Sequence, residues 1–382
     1  MNLLTTATPE QCGLDPHRWN SSLALAREWT ERTDRVPGVA VLVARNGMTP
    51  GAQFFGRQRV GANSPRLHHD AIFLIASITK PIVAMAAMLL VERGQLALND
   101  RVSDYLPEFG KQGKYGTTIR NLLTHTSGLP DMLTNNVELR QAHAPLTDFV
   151  KQTCEIAPDF PPGRSVQYQS MGFAVLAAII EQISGQTCAE FLRQEFFLPL
   201  GMKETRLGAP DDWFEGTPPV ADRIAEIRVP VDQVLATDWN WNSRYWRQLG
   251  APWGGLLTTP ADLGQFAQLM LNGGRVGDRQ LLSAATVGAS VTNQLSPMKD
   301  VPEEDRRFRA WGFGWRMHWA NHANTFGDLV SSSTYGHWGA TGTVLWIDPE
   351  RQSFALILST QPLDPNGAPL QRLSNAIVAS FD

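Results

Sequence analysis

The sequence predicts an α+β protein: an antiparallel sheet flanked by helices, built from the two ends of the chain, with a mainly helical region inserted between them. Three observations point there. Near the N-terminus, Gly38-Val-Ala-Val-Leu-Val-Ala-Arg45 is an apolar run of strand length, followed by the turn signal Asn46-Gly47 and a return segment at Ala52 to Phe55. Near the C-terminus, three strand-like runs follow one another at Tyr335 to Trp338, Thr343 to Ile347 and Ser353 to Ser359; Asp348-Pro-Glu-Arg-Gln352 makes a tight connection between the last two. Between about Asn99 and Asn293, helical patterns broken by Pro/Gly loops replace the strand character. Residues 1–382 are thus read as one unit, with 1–98 and 294–382 as the sheet region and 99–293 as the helical region. The cleft where the two meet is the expected site.

Taken in order, Trp19, Leu23, Ala26 and Trp29 recur at helical spacing over Pro16 to Arg32. Pro81 to Arg93 is rich in Ala, Met, Leu and Val and stops at Gly94, which predicts a buried helix with a glycine just past its end. Ile119–Leu123, Met171–Ile183, Cys188–Phe197 and Asp262–Leu271 are further helical stretches. Gly208 to Gly254 is read as a long loop, and Leu370 to Ser380 as a final helix. There is no internal repeat and no low-complexity tract.

Composition narrows the function classes. Hydrophobic residues make up 43% and charged residues 18% of 382, the balance of a globular chain. The net charge of −4 gives no general attraction to nucleic acid or to an anionic membrane surface. No run approaches the roughly 20 apolar residues of a membrane span. Cys12, Cys154 and Cys188 are odd in number and widely spaced, so they suggest neither a disulfide framework nor a zinc site. No secretory signal is visible, and a reducing cytoplasm is the expected compartment.

The chemistry starts at Ser77 and Lys80, in Phe73-Leu-Ile-Ala-Ser-Ile-Thr-Lys80-Pro. A serine hydroxyl is a weak nucleophile until a neighbour takes its proton. Positions i and i+3 share a helix face, so the lysine can reach the hydroxyl. Ser77 is expected at the helix N-terminus, where free N–H groups favour a developing anion. Apolar walls around Lys80 are expected to lower its pKa towards a useful base. Alone, S-x-x-K is a common coincidence, so its company matters.

Tyr168 lies in Phe160-Pro-Pro-Gly-Arg-Ser-Val-Gln-Tyr168-Gln-Ser170, a Pro/Gly-rich loop ahead of an apolar helix. It is either a proton carrier beside Lys80 or a ring packed on the helix start. Ser170 reads equally as a helix N-cap. In Gly336-His337-Trp338-Gly339-Ala340-Thr-Gly342, the small residues let a substrate approach a strand edge, and the Ala340 N–H is placed to bind an oxyanion with that of Ser77. The plainer alternative is a glycine-bent strand with an exposed histidine.

The order Ser-x-x-Lys, Tyr-x-Ser, His-x-Gly resembles the serine β-lactamase-related family, which includes class C β-lactamases, D-alanyl-D-alanine carboxypeptidases, D-aminopeptidases and family VIII carboxylesterases. Leu122-Leu-Thr-His-Thr-Ser-Gly-Leu129, Pro199-Leu-Gly-Met202 and Trp253-Gly-Gly-Leu-Leu-Thr-Thr-Pro-Ala-Asp-Leu263 match the same pattern, and the resemblance spans roughly residues 9 to 360. It implies the β-lactamase/penicillin-binding-protein-like fold. It implies that Ser77 is acylated, that Lys80 and Tyr168 share the acid and base work, and that the Ser77 and Ala340 N–H groups form the oxyanion hole. Ser170, His337, Trp338 and Gly339 would be substrate-binding, with no metal and no cofactor.

Two departures refine that expectation. The second motif is usually Tyr-x-Asn, and here Ser170 offers a shorter side chain with a single proton to donate. The third motif of β-lactamases is usually Lys-Thr-Gly, whereas His337 offers only a partly charged group near neutral pH. Both weaken a β-lactam substrate and favour a neutral ester, so a carboxylesterase on small to medium acyl esters is expected. The alternatives are a D-amino-acid peptidase or amidase, for which no residue suggests itself to hold the peptide's free terminus, a weak β-lactamase, or a non-catalytic binding protein on the same scaffold. The partner is then a small-molecule ester or amide.

Of the twelve tryptophans, Trp239, Trp241, Trp246 and Trp253 cluster in the long middle loop as candidate pocket walls, and Trp311, Trp315 and Trp319 precede the third motif. The nucleophile elbow Gly-x-Ser-x-Gly is absent. His318 and His322 stand at i and i+4 without the glutamate of a zinc-protease pattern, so no metal site is expected there.

Overall fold

The computed structural model describes residues 2–32, 35–317, 326–363 and 368–381. Its main sheet runs in the order Thr5–Thr6, Met48–Thr49, Gly38–Arg45, Ser353–Ser359, Thr343–Asp348, Tyr335–Gly339, Arg316–Met317, with Gln53–Gly56 also paired to Gly38–Arg45. Strands from the two ends of the chain therefore meet at its centre. Val41 sits opposite Ile357, and Leu42 opposite Leu356. The pairings are antiparallel except that of Thr5–Thr6 with Met48–Thr49, which makes the sheet mixed.

Both sheet faces are covered, which is why its central strands read as continuous apolar runs rather than alternating ones. Val39, Val41, Val43, Val344, Trp346, Ala355 and Ile357 pack with Trp19, Leu23, Leu373 and Ile377 of the two terminal helices, Pro16–Arg27 and Ala368–Val378. The first helix opens on Asp15, whose carboxylate accepts the Arg18 N–H at 2.7 Å, with Pro16 at its first position. It then continues as a π-helical turn, Glu28–Arg32. Trp346 Nε1 donates to Ser374 Oγ at 2.7 Å, tying the sheet to the last helix. On the other face, Ala40, Leu42, Leu345 and Leu356 join one large core with the helices Thr79–Glu92, Met171–Ser184 and Pro260–Leu271.

Three features differ from the sequence reading. The apolar helix starts at Thr79, earlier than Pro81, because proline within a first turn forfeits no intrahelical bond. The stretch read as a long loop holds the short helix Arg244–Leu249, capped by Ser243, whose hydroxyl accepts the Trp246 N–H at 3.1 Å. Six residues are too few to show a helical period. A second, three-stranded sheet joins Phe73–Leu74, Leu256–Thr258 and Arg206–Leu207. It pairs the segment just before Ser77 with the one just after Trp253, through Leu74 opposite Leu257.

Candidate active site

Ser77 lies in a 3-10 turn, Ala76–Ile78, that leads directly into the helix Thr79–Glu92. Ala76 adopts φ +46°, a left-handed backbone that an alanine rarely takes. Its carbonyl is held by the Thr79 hydroxyl at 2.6 Å, and the Leu256 N–H donates back to that hydroxyl at 3.1 Å. The small sheet thus fixes a strained turn that leaves Ser77 half-buried at the head of an apolar helix.

Lys80 sits one turn on and is fully buried. Its Nζ donates to Ser77 Oγ at 3.2 Å and to the Trp253 carbonyl at 3.0 Å. It also lies 4.6 Å from the Tyr168 ring centre and 5.9 Å from that of Phe173. Burial pulls its pKa down to about 7, with Asp131 opposing the fall.

Tyr168 is brought to this lysine by the loop that precedes the helix Met171–Ser184. The run Leu122 to Leu129 holds that loop. The Gln167 N–H donates to the His125 carbonyl at 2.9 Å, the Gln169 N–H to His125 Nδ1 at 3.1 Å, and Gln169 Nε2 to the Leu122 carbonyl at 2.9 Å. Ser127 donates to Gln169 Oε1 as well. Burial and Asp131 push the Tyr168 pKa upward, with Ser77 and Arg316 offsetting part of the shift. That upward shift keeps its buried hydroxyl protonated near neutral pH.

Two histidines pack around Tyr168. His125, at φ +60°, lies 4.9 Å from the Tyr168 ring and 4.1 Å from Trp311. His337 lies 6.0 Å from Tyr168. Both are fully buried. Here a sequence expectation fails: His337 is not partly charged. Burial, then the nearby Lys80, pull its pKa to about 3, and the same causes hold His125 well below its usual value. Strand alternation explains the placement. His337 is buried, while its half-buried neighbour Trp338, on the alternate side of the strand, lines the cavity.

Ser170 occupies the first cap position of its helix but does not cap it. Its hydroxyl donates to Asp131 Oδ1 at 2.6 Å instead. At the strand edge, a side chain on Gly339 would collide with the Ile75 carbonyl and the Thr343 hydroxyl. The hydroxyls of Thr341 and Thr343 donate to the carbonyls of Leu74 and Ile75 at 2.8 and 2.9 Å. The glycine and the two threonines clamp the turn carrying Ala340 onto the segment carrying Ser77.

These residues open onto a cavity of about 490 Å³, reached by Ser77, Tyr168, Ser170, Trp338 and Ala340, but not by His337 or Gly339. Trp241, Trp246 and Trp253 of the middle loop wall it, with Met132 and Leu363. Trp239 does not; it lies under the guanidinium of Arg140, which does. Of the second tryptophan group, Trp311 packs on His125, and Trp315 stacks in the core on Phe266 at 6.3 Å. Trp319, His318 and His322 lie outside the described residues. Among the described residues no cluster of metal-ligating side chains occurs. No described helix is long and apolar enough to cross a membrane. Sequence reasoning missed Asp131 and Arg140, which sit in short polar segments with no pattern, and left His125 without a role although its motif was recognised.

Known proteins match over the same span. The beta-lactamase family model covers residues 25–379. The chain belongs to the beta-lactamase family. As a family member it is a serine hydrolase. A protein of Escherichia coli K12 named "Putative D-alanyl-D-alanine carboxypeptidase" is 26% identical, over 96% of this chain and 88% of its own length. A penicillin-binding-protein homologue from Caulobacter crescentus superimposes with a TM-score of 0.75 at 22% identity, covering 96% of this chain and 99% of that one. A family VIII carboxylesterase does so at 0.74 and 19%, covering 96% and 98%. The fold is thus the β-lactamase/penicillin-binding-protein type.

Proposed function

We propose that this family member is a carboxylesterase acting through an acyl-enzyme on Ser77. The observation that carries the reading is Lys80: fully buried, 3.2 Å from Ser77 Oγ, with its pKa drawn to about 7. Near neutral pH a large share of Lys80 is an unprotonated amine, a base already aimed at the hydroxyl. Ser77 Oγ attacks the ester carbonyl carbon and its proton passes to Lys80. The Ser77 and Ala340 N–H groups stabilise the tetrahedral oxyanion. The carbon–oxygen bond to the alcohol then breaks, and the alcohol leaves with a proton returned from Lys80 through the Tyr168 hydroxyl. Water attacks the acyl-enzyme by the same route in reverse.

Two observations favour an ester over a β-lactam. His337 is neutral, buried and not part of the cavity wall, so the third motif supplies no cation for a drug carboxylate. The Ser170 proton is engaged by Asp131 and is not free for a substrate amide. The aromatic wall suits an acyl or aryl group. Three free, buried cysteines are compatible with the reducing cytoplasm expected from the sequence.

The test is a hydrolysis panel of acyl-chain esters, D-peptides and a chromogenic cephalosporin, with fluorophosphonate labelling. Ester turnover that disappears together with labelling in Ser77→Ala supports the reading. Fast cephalosporin turnover with slow esters overturns it, and a chain that neither labels nor turns over is a binding protein.

A further inference from the structure

Arg140 is only 6% exposed, yet it lines the Ser77 cavity. It lies in the last turn of the helix Asn136–Gln141, and its guanidinium lies 4.4 Å from the ring centre of Trp246 and 4.8 Å from that of Trp239. Its one hydrogen bond among the described residues runs from Nη2 to the Trp239 carbonyl at 2.9 Å. Its Nε is buried and has no partner. No described carboxylate lies within ion-pair distance of it, whereas the half-buried Arg223, for example, pairs with Glu204 at 2.7 Å. Burial lowers its pKa to about 10, and the Tyr245 hydroxyl offers only slight relief, so it remains a cation at neutral pH.

A buried guanidinium without a counter-ion is costly, and its fork of donors fits a carboxylate. We propose that Arg140 is the anion-binding residue of this cavity and that the substrate opened by Ser77 carries a carboxylate. This rests on the serine-hydrolase reading and sharpens it. The neutral ester expected from the sequence becomes an ester or amide with one acidic end.

Asp131, which lines the same cavity, does not cancel this arrangement. Its charge acts on Lys80 and Tyr168, its carboxylate accepts the Ser170 hydroxyl at 2.6 Å, and it forms no ion pair with Arg140. The cavity wall therefore carries an anionic group that acts on the reacting residues and a cationic one not neutralised by it. A substrate with its scissile bond at Ser77 and its carboxylate at the tryptophan-flanked end satisfies both. The same carboxylate can belong to a half-ester of a dicarboxylic acid or to the C-terminus of a D-peptide. For the peptide, Arg140 is the terminus-holding group that the sequence did not reveal.

Two measurements test this. In the first, kcat/KM is compared for 4-nitrophenyl half-esters of succinate, glutarate and adipate against neutral 4-nitrophenyl esters of matching length, with N-acetyl-D-Ala-D-Ala as a peptide arm. The wild-type chain should prefer the acidic member of a pair. Arg140→Met should cut that preference by roughly 10- to 100-fold, and Arg140→Lys should restore part of it. Preference for the half-ester or for the peptide identifies the source of the carboxylate. An unchanged preference, or an equal fall for acidic and neutral substrates, overturns the proposal and leaves Arg140 as a brace for the tryptophan loop. The second measurement needs no turnover. Calorimetric titration of Ser77→Ala with monomethyl glutarate and with dimethyl glutarate should show tighter binding of the acid. That difference should be lost in Ser77→Ala/Arg140→Met. Equal binding of the two ligands overturns the anion site whether or not the chain proves to be an esterase, and a chain without esterase activity that still prefers the acid separates the two readings.

Discussion

Two basic side chains serve the Ser77 cavity, Lys80 buried behind Ser77 and Arg140 in the cavity wall, and burial treats them differently. Lys80 loses enough hydration that its pKa falls to about 7, and it can surrender its proton. Arg140 is nearly as deeply buried, but its pKa falls only to about 10. The guanidinium delocalises its charge and starts from a far higher pKa, so similar desolvation leaves it a cation. On the proposed mechanism, burial thus makes a base beside Ser77 and leaves a fixed positive charge between Trp239 and Trp246. The surroundings match: the two histidines near Lys80 are neutral and the charge of Asp131 only partly offsets its burial, while Arg140 is flanked by indole faces that tolerate a cation.

The strongest way to break the comparison is at Ser77 itself. Ser77→Ala should lower ester kcat by several powers of ten, on the order of 10⁴ or more, and abolish fluorophosphonate labelling. Ester turnover that survives would remove the nucleophile and with it the meaning of Lys80's position.

Lys80→Arg tests the difference between the two cations directly. The arginine keeps the charge but cannot give up a proton near neutral pH, so kcat should fall by roughly 10³-fold. In the wild-type chain kcat/KM should rise with pH through about 7, as Lys80 loses its proton. That limb should persist in His337→Gln, because His337 is already neutral above about pH 3. If the limb vanishes there, the histidine and not the lysine is titrating. The stability sign follows from the same shift. The folded pKa lies below the unfolded value of 10.5, so the unfolded chain holds more protons between about pH 7 and 10.5, and Lys80's penalty shrinks as pH rises through that window. Lys80→Met should therefore raise the thermal midpoint most clearly at or below pH 7, by a few degrees on the order expected for such a change.

Tyr168→Phe should cost about 10²- to 10³-fold in kcat without adding or removing a pH limb below 10, since the tyrosine stays protonated there. A fall in KM alone, with kcat intact, would make Tyr168 a packing ring. The smallest effect is expected at Ser170→Ala, a few-fold loss equivalent to roughly one hydrogen bond, because that hydroxyl acts on Asp131 and not on Lys80. A loss as large as that of Tyr168→Phe would place Ser170 on the substrate.

Much of the fold could be read from residues close in sequence. The Gly38–Arg45 strand, the three C-terminal strands and the Ser77 helix announce themselves through long apolar runs bounded by turns. Ser77 and Lys80 were found because both lie on one turn of chain. Short elements were not legible: Arg244–Leu249 and the two-residue strands of the small sheet carry too few residues to show a period.

By itself the sequence determined the sheet drawn from both ends, the helical insertion and the Ser77–Lys80 pair, because each depends on local pattern or local spacing. Tertiary structure decided the final charges. The lowered Lys80 pKa is expected from its apolar helix, but how far it falls, the neutrality of His337 and the placing of Arg140 as a fixed cation in a cavity depend on the water and charge that distant segments remove or supply. Residues 77, 131, 140, 168, 253 and 340 meet only when the chain closes around them.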